Sequence, residues 1–159
     1  MLTFLSYKLN DTTPAYGGKT GFTSKPQSSI KNSDSANTSI WKFPNHIGTH
    51  IDFPYHFYDE GQTLNHLDEK WIFKKDEIQI LFIDLQEKDL LIKPEHVKNK
   101  KIKKEAKLVL LKTNFGKFRQ EERYWKYNPG LDVEMANWIK NRYENIMILG
   151  IDTISVSSY

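Results

Sequence analysis

Residues 46–56 read His-Ile-Gly-Thr-His-Ile-Asp-Phe-Pro-Tyr-His, and no other stretch constrains the fold so tightly. Histidine or aspartate stands at 46, 50, 52 and 56, all even positions, and takes up three of the chain's five histidines. In extended backbone, alternate side chains share a face. His46, His50, Asp52 and His56 then point one way, while Ile47, Thr49, Ile51, Phe53 and Tyr55 point the other and suit packing. A helix would also pair His46 with His50, but Pro54 would break it, and Ile47, Ile51 and Phe53 form no single helical stripe. The stretch therefore reads as an irregular strand.

A straight strand would hold the Cα atoms of His46 and His50 about 13 Å apart, a long reach for two imidazoles sharing one ion. Gly48 offers a bend or bulge that brings them together. His50 and Asp52 are only about 7 Å apart along the same face. Two histidines and one carboxylate form a metal-ligand set that leaves positions open for water or substrate. We therefore expect His46, His50 and Asp52 to hold a divalent ion, with Zn or Mn the leading choices. His56, one step further on, is the candidate for moving protons beside it; the same geometry also suits a third imidazole ligand, with Asp52 bridging to a second ion. The competing reading is a half-buried strand with incidental histidines.

This pattern, His-x-Gly-Thr-His-x-Asp-x-Pro-x-His followed by Phe57, resembles the signature of the cyclase family, which includes bacterial kynurenine formamidases and isatin hydrolases. Asp59-Glu60-Gly61 continues the resemblance. Weaker matches follow in order: Leu5-Ser6, Lys112-Thr113, Pro129-Gly130-Leu131 and the segment from Gly150 to Ser155. The resemblance implies layered β/β/α sheets of the swivelling-domain kind and subunit contacts near the site. It also implies hydrolysis of an amide, lactam or ester, with formamides of aryl amines as the type substrate. In that chemistry the ion lowers the pKa of water from ~15.7 toward ~7, and His56 passes a proton to the leaving nitrogen. In family members a further histidine and glutamate lie downstream, and Asp152 reads as structural. The resemblance thus implies a single domain over 1–159, incomplete at its C-terminus. Two rivals stay open: Fe(II) oxygen chemistry on the same ligands, and metal binding without turnover.

Elsewhere the pattern is α/β with a mixed sheet and few helices. Strands are expected over 2–9, 77–85, 107–113 and 146–151, where β-branched and apolar residues run together. Residues 10–39, rich in Ser, Thr, Asn, Gly and Lys, read as a long loop or arm. Trp41, just before the metal stretch, suits stacking on an aromatic substrate or packing in the core. Pro94 suits the start of a short helix over 94–100, with His96 facing solvent. His66 reads as a surface histidine. Residues 114–130 form a charged, aromatic loop. Asp132 is placed to cap a helix whose Met135, Ala136, Ile139 and Tyr143 share a face.

Composition removes several function classes. With 23 basic and 20 acidic residues the net charge is +3, too balanced to argue for nucleic acid. Five lysines within 98–104 lack interleaved aromatics and read as a solvated turn. There is no cysteine, hence no disulfide framework and no thiolate metal site. No run approaches the 18 or so apolar residues of a membrane span, and the N-terminus does not read as a signal peptide. The expectation is a cytoplasmic protein acting on a small molecule. An apolar content of 38% beside a long loop favours a homodimer.

Overall fold

The computed structural model describes residues 6–19, 21–86 and 88–158. The chain divides into two compact units, Met1–Asn65 and His66–Tyr159. The class is α/β, as expected, with three small sheets that mix antiparallel and parallel pairing. No helix among the described residues is long and apolar enough to cross a membrane.

The first unit contains an antiparallel hairpin of β1 (Thr23–Ser28) and β2 (Thr38–Lys42), in register Thr23↔Lys42 and Lys25↔Ile40. This corrects the long-loop reading of 10–39. The segment hides its structure from a periodicity test because almost every hairpin residue is exposed. Side chains rather than a core close its turn. Asp34 accepts the Ser29 N–H at 2.6 Å, Asn37 accepts that of Ile30 at 2.9 Å, and the Ser28 hydroxyl donates to the Ala36 carbonyl at 2.9 Å. The register slips between Pro26 and Ser28, where Pro26 has no N–H to give the ladder. Of the strand expected over 2–9, residues 2–5 lie outside the described residues, and 6–9 are irregular.

A small core of Thr13, Ala15, Phe22 and Ile47 sits in this unit, and Ala15 pairs with Ile47 in an isolated antiparallel bridge. Of the odd-numbered residues expected to pack, only Ile47 is buried and Phe53 half-buried, while Thr49, Ile51 and Tyr55 are exposed, because the stretch is not a regular strand and its side chains do not alternate between two faces.

The second unit is built on a parallel sheet, in the order β3 (Ile78–Phe82), β5 (Leu108–Lys112), β7 (Ile148–Ile151). Alternate residues Leu81, Val109 and Leu111 point into one core with Ile83, Ile92, Val97, Met135 and Ile139. A second, two-residue parallel pair joins β4 (Leu91–Ile92) to β6 (Gly130–Leu131). The helix α2 (Val133–Arg142) starts where expected: Asp132 accepts the Glu134 N–H at 2.8 Å, and Met135 and Ile139 are buried. A short helix α1 (Glu122–Lys126) interrupts the loop expected over 114–130, with Arg123 over the Phe118 ring at 3.6 Å.

Two polar ties fix the ends of the parallel strands. At the start, Lys107 Nζ lies 2.6 Å from Glu77 Oε1, and the Lys107 N–H donates to the Glu77 carbonyl at 2.8 Å. The Lys107 side chain, followed by the Lys74 N–H, holds the Glu77 carboxyl below its usual range. At the far end, Asp152 Oδ1 accepts both the N–H and the hydroxyl of Thr113, at 2.8 and 2.6 Å. The carboxylate thereby spans the gap between the ends of β5 and β7.

The expected helix over 94–100 is only a 3₁₀ turn, Pro94–His96. His96 is not solvent-facing. Its Nδ1 accepts the Lys93 N–H at 2.9 Å, its Nε2 lies 3.8 Å from Asp89, and its side chain is 17% exposed. The ring caps the turn from within, which its spacing in the sequence does not reveal. His66 is exposed, and the lysine-rich turn is solvated around a buried Ile102.

Candidate metal centre

The histidine stretch is irregular backbone, and its one bridge is that of Ile47. Gly48 takes φ +62°, a region that residues with a side chain rarely enter. The resulting bend brings His46 and His50 onto one centre across what would otherwise be a strand's full span. Phe53 is extended, at φ −89° and ψ 160°. Pro54–His56 then form a 3₁₀ turn, so His56 reaches the histidine face by a turn and not by continued alternation.

His46 Nδ1 lies 3.0 Å from His50 Nε2 and 3.2 Å from Asp52 Oδ1, and His50 Nε2 lies 3.5 Å from that same oxygen. Three potential ligand atoms thus form a nearly equilateral triangle. Bonds of about 2.0–2.1 Å to a tetrahedral ion place neighbouring ligand atoms about 3.3 Å apart. The triangle fits such an ion, and the donor chemistry of two imidazoles and a carboxylate fits it too. These three are the group able to hold a metal among the described residues.

The tautomer of His50 agrees with this. The Gly48 carbonyl can only accept, so the N–H on His50 Nδ1 donates to it at 3.1 Å. The proton on Nδ1 leaves the Nε2 lone pair facing the centre, the usual way in which a second hydrogen bond orients a metal-binding imidazole. Gly48 therefore acts twice, through its dihedral and through its carbonyl, and only the first was legible as a sequence signal.

His56 stands beside the triangle without joining it. Its ring centroid is 4.2 Å from that of His46, tilted by 48°, and 4.4 Å from that of Phe57. Trp41 is 63% exposed and rests on Phe22 at 5.7 Å between centroids. The indole therefore touches the small core at one edge and is otherwise open.

The Cyclase family model matches residues 4–158, nearly the whole chain, and the chain belongs to that family. Among curated proteins it is 30% identical over 146 residues to cyclase-like protein 2 of Arabidopsis thaliana, which covers 82% of this chain. It is also 27% identical over 152 residues to a kynurenine formamidase of Bacillus mycoides, covering 96% of this chain and 68% of that one. A third relative, an uncharacterized protein of Haemophilus influenzae, is 28% identical over 114 residues. The match spans 48% of the length of the Arabidopsis relative.

Proposed function

We propose that this chain is a metal-dependent hydrolase of an amide, lactam or ester carbonyl, of the arylformamidase kind, with His46, His50 and Asp52 as ligands of a Zn or Mn ion. The observation that carries the proposal is the triangle of 3.0, 3.2 and 3.5 Å between their donor atoms. Family membership and the likeness to a kynurenine formamidase support the choice of reaction. An ion held there supplies a Lewis acid and makes water a stronger acid.

The chain's own residues do the rest. Asp52 contributes the negative charge of the ligand set. The Gly48 carbonyl keeps His50 in the tautomer that can bind. His56, as imidazolium, donates its proton to the nitrogen of the breaking C–N bond, and as imidazole it takes one from the attacking water. Trp41 offers its exposed face to the aromatic part of a substrate, so Trp41→Ala would raise KM more than it lowers kcat. The apolar side chains left open on the hairpin, Ile30 and Ile40, support self-association as a homodimer.

Elemental analysis of the purified protein, run beside a panel of aryl formamides, lactams and esters, tests the proposal. Metal uptake no greater than in a variant lacking all three donors would overturn it. A second reading, metal binding without turnover, is favoured by the exposure of the donors, 29%, 33% and 44% at the side chains of His46, His50 and Asp52. Electrostatic catalysis gains from excluding water. Stoichiometric metal with no product from any member of the panel would decide for that second reading.

A further inference from the structure

Gly61 lies five residues beyond the last histidine of the metal stretch, yet its backbone is pressed against the turn that carries that histidine. A Cβ built on Gly61 would stand 2.4 Å from the Pro54 carbonyl carbon, 2.4 Å from the Tyr55 nitrogen and 2.7 Å from the Pro54 oxygen. All three are backbone atoms, with no flexible side-chain end to swing aside. Gly61 is not among the glycines with positive φ, so what the site demands of it is space and not an unusual conformation.

The segment after the turn folds back and is stitched to it. The Tyr55 N–H donates to the Gln62 carbonyl at 3.1 Å, and the Gly61 N–H donates to the Tyr58 carbonyl at 2.8 Å. The N–H groups of Phe57 and Tyr58 both donate to the Pro54 carbonyl at 3.0 Å. His56 sits inside this closed loop, its own N–H given to the Phe53 carbonyl at 2.8 Å. No residue of the turn is buried, so backbone closure, rather than burial in a core, sets the direction in which the His56 side chain leaves the chain, and the ring then lies against His46 and Phe57. The three ligand atoms belong to residues that precede the turn and do not depend on it.

We infer that Gly61 is a positioning residue for His56: its missing side chain lets residues 58–62 close against Pro54–Tyr55 and hold the His56 imidazole beside His46. A methyl group at 61 separates the two backbones, opens the turn and swings His56 away while leaving His46, His50 and Asp52 in place. The catalytic consequence rests on the proposed role of His56 as proton carrier; the geometric consequence does not.

The test uses the full chain. In Gly61→Ala, Zn²⁺ titration should give the parent's stoichiometry and affinity, while the nuclear Overhauser contact between the His46 and His56 rings is lost. On a substrate the parent hydrolyses, kcat should fall at least about tenfold, bounded by the ~10²–10⁴-fold worth of a positioned acid–base group, with KM within about twofold. Glu60→Ala, at the exposed neighbour, should change none of these. A folded Gly61→Ala that keeps both the ring contact and kcat overturns the inference. Should that variant not fold, an α-hydroxy acid in place of Tyr55 deletes the N–H given to Gln62 without adding an atom. Loss of the ring contact with zinc binding intact then supports the inference, and its retention overturns it. A parent that hydrolyses nothing, or a His56→Asn variant with full rate, removes the proposed function alone, and the ring contact still decides on Gly61.

Discussion

Replacing Asp52 with alanine is the sharpest perturbation of the proposed metal centre. Asp52 Oδ1 is one of three donor atoms and the anionic one, 3.2 and 3.5 Å from the two imidazole nitrogens. Changing a residue that merely orients a metal ligand costs ~10–100-fold in affinity, so removing a ligand should cost about 100-fold or more. Stabilisation by a bound ligand follows RT ln(1 + [L]/Kd). At a metal concentration 100 times the parent's Kd, that is about 2.7 kcal/mol for the parent and about 0.4 kcal/mol for the variant. At about 2–4 °C per kcal/mol for a chain of this size, the parent's Tm should rise by roughly 5–10 °C and the variant's by only ~1–2 °C. Without metal the two should melt within about 1 kcal/mol of each other, because Asp52 and both histidines are partly exposed and such pairs contribute little. Differential scanning calorimetry with and without Zn²⁺ measures both quantities. Equal metal-induced shifts in the parent and Asp52→Ala would refute the assignment of Asp52 as a ligand. So would an equal loss in His56→Ala, whose ring stands outside the donor triangle.

Other expectations can be checked independently. His56→Asn should keep the parent's metal affinity and lose ~10²–10⁴-fold in kcat, measured by metal titration and initial rates. Met135→Ala should destabilise the second unit by about 2–5 kcal/mol in urea unfolding, since the methionine is fully buried in that core and leaves a cavity. Glu77→Gln should lower Tm near pH 7. Folding depresses the Glu77 pKa, so its contribution is fully present above the unfolded pKa and is lost as pH falls through the lower folded one. The Tm gap between parent and Glu77→Gln should therefore close in acid, and a gap that widened in acid would contradict the sign. In Asp152→Asn, amide exchange at Thr113 should speed up relative to mid-strand Val109, because Thr113 donates twice to that carboxylate.

What the sequence determined by itself is local. His46, His50 and Asp52 fall within seven residues, so spacing and a flexible Gly48 were enough to expect their donor atoms to converge, as they do. Asp132 announces α2 because a cap acts on the next two residues. The apolar runs of β3, β5 and β7 declare themselves because burial on a sheet selects branched side chains. The structure decided what depends on partners distant in the chain or on backbone alone. The exposed hairpin at 23–42 carries no hydrophobic period, and its turn is closed by Asp34 and Asn37 bonding to backbone, which composition renders as loop. His96 looked like a surface histidine because its partners, the Lys93 N–H and Asp89, are defined only once the turn closes. Thr113 and Asp152 meet across 39 residues of chain. His56 was read onto the histidine face by alternation, but a 3₁₀ turn brings it there. That turn closes because Gly61 has no side chain, a fact of clearance between two backbones that no periodicity records.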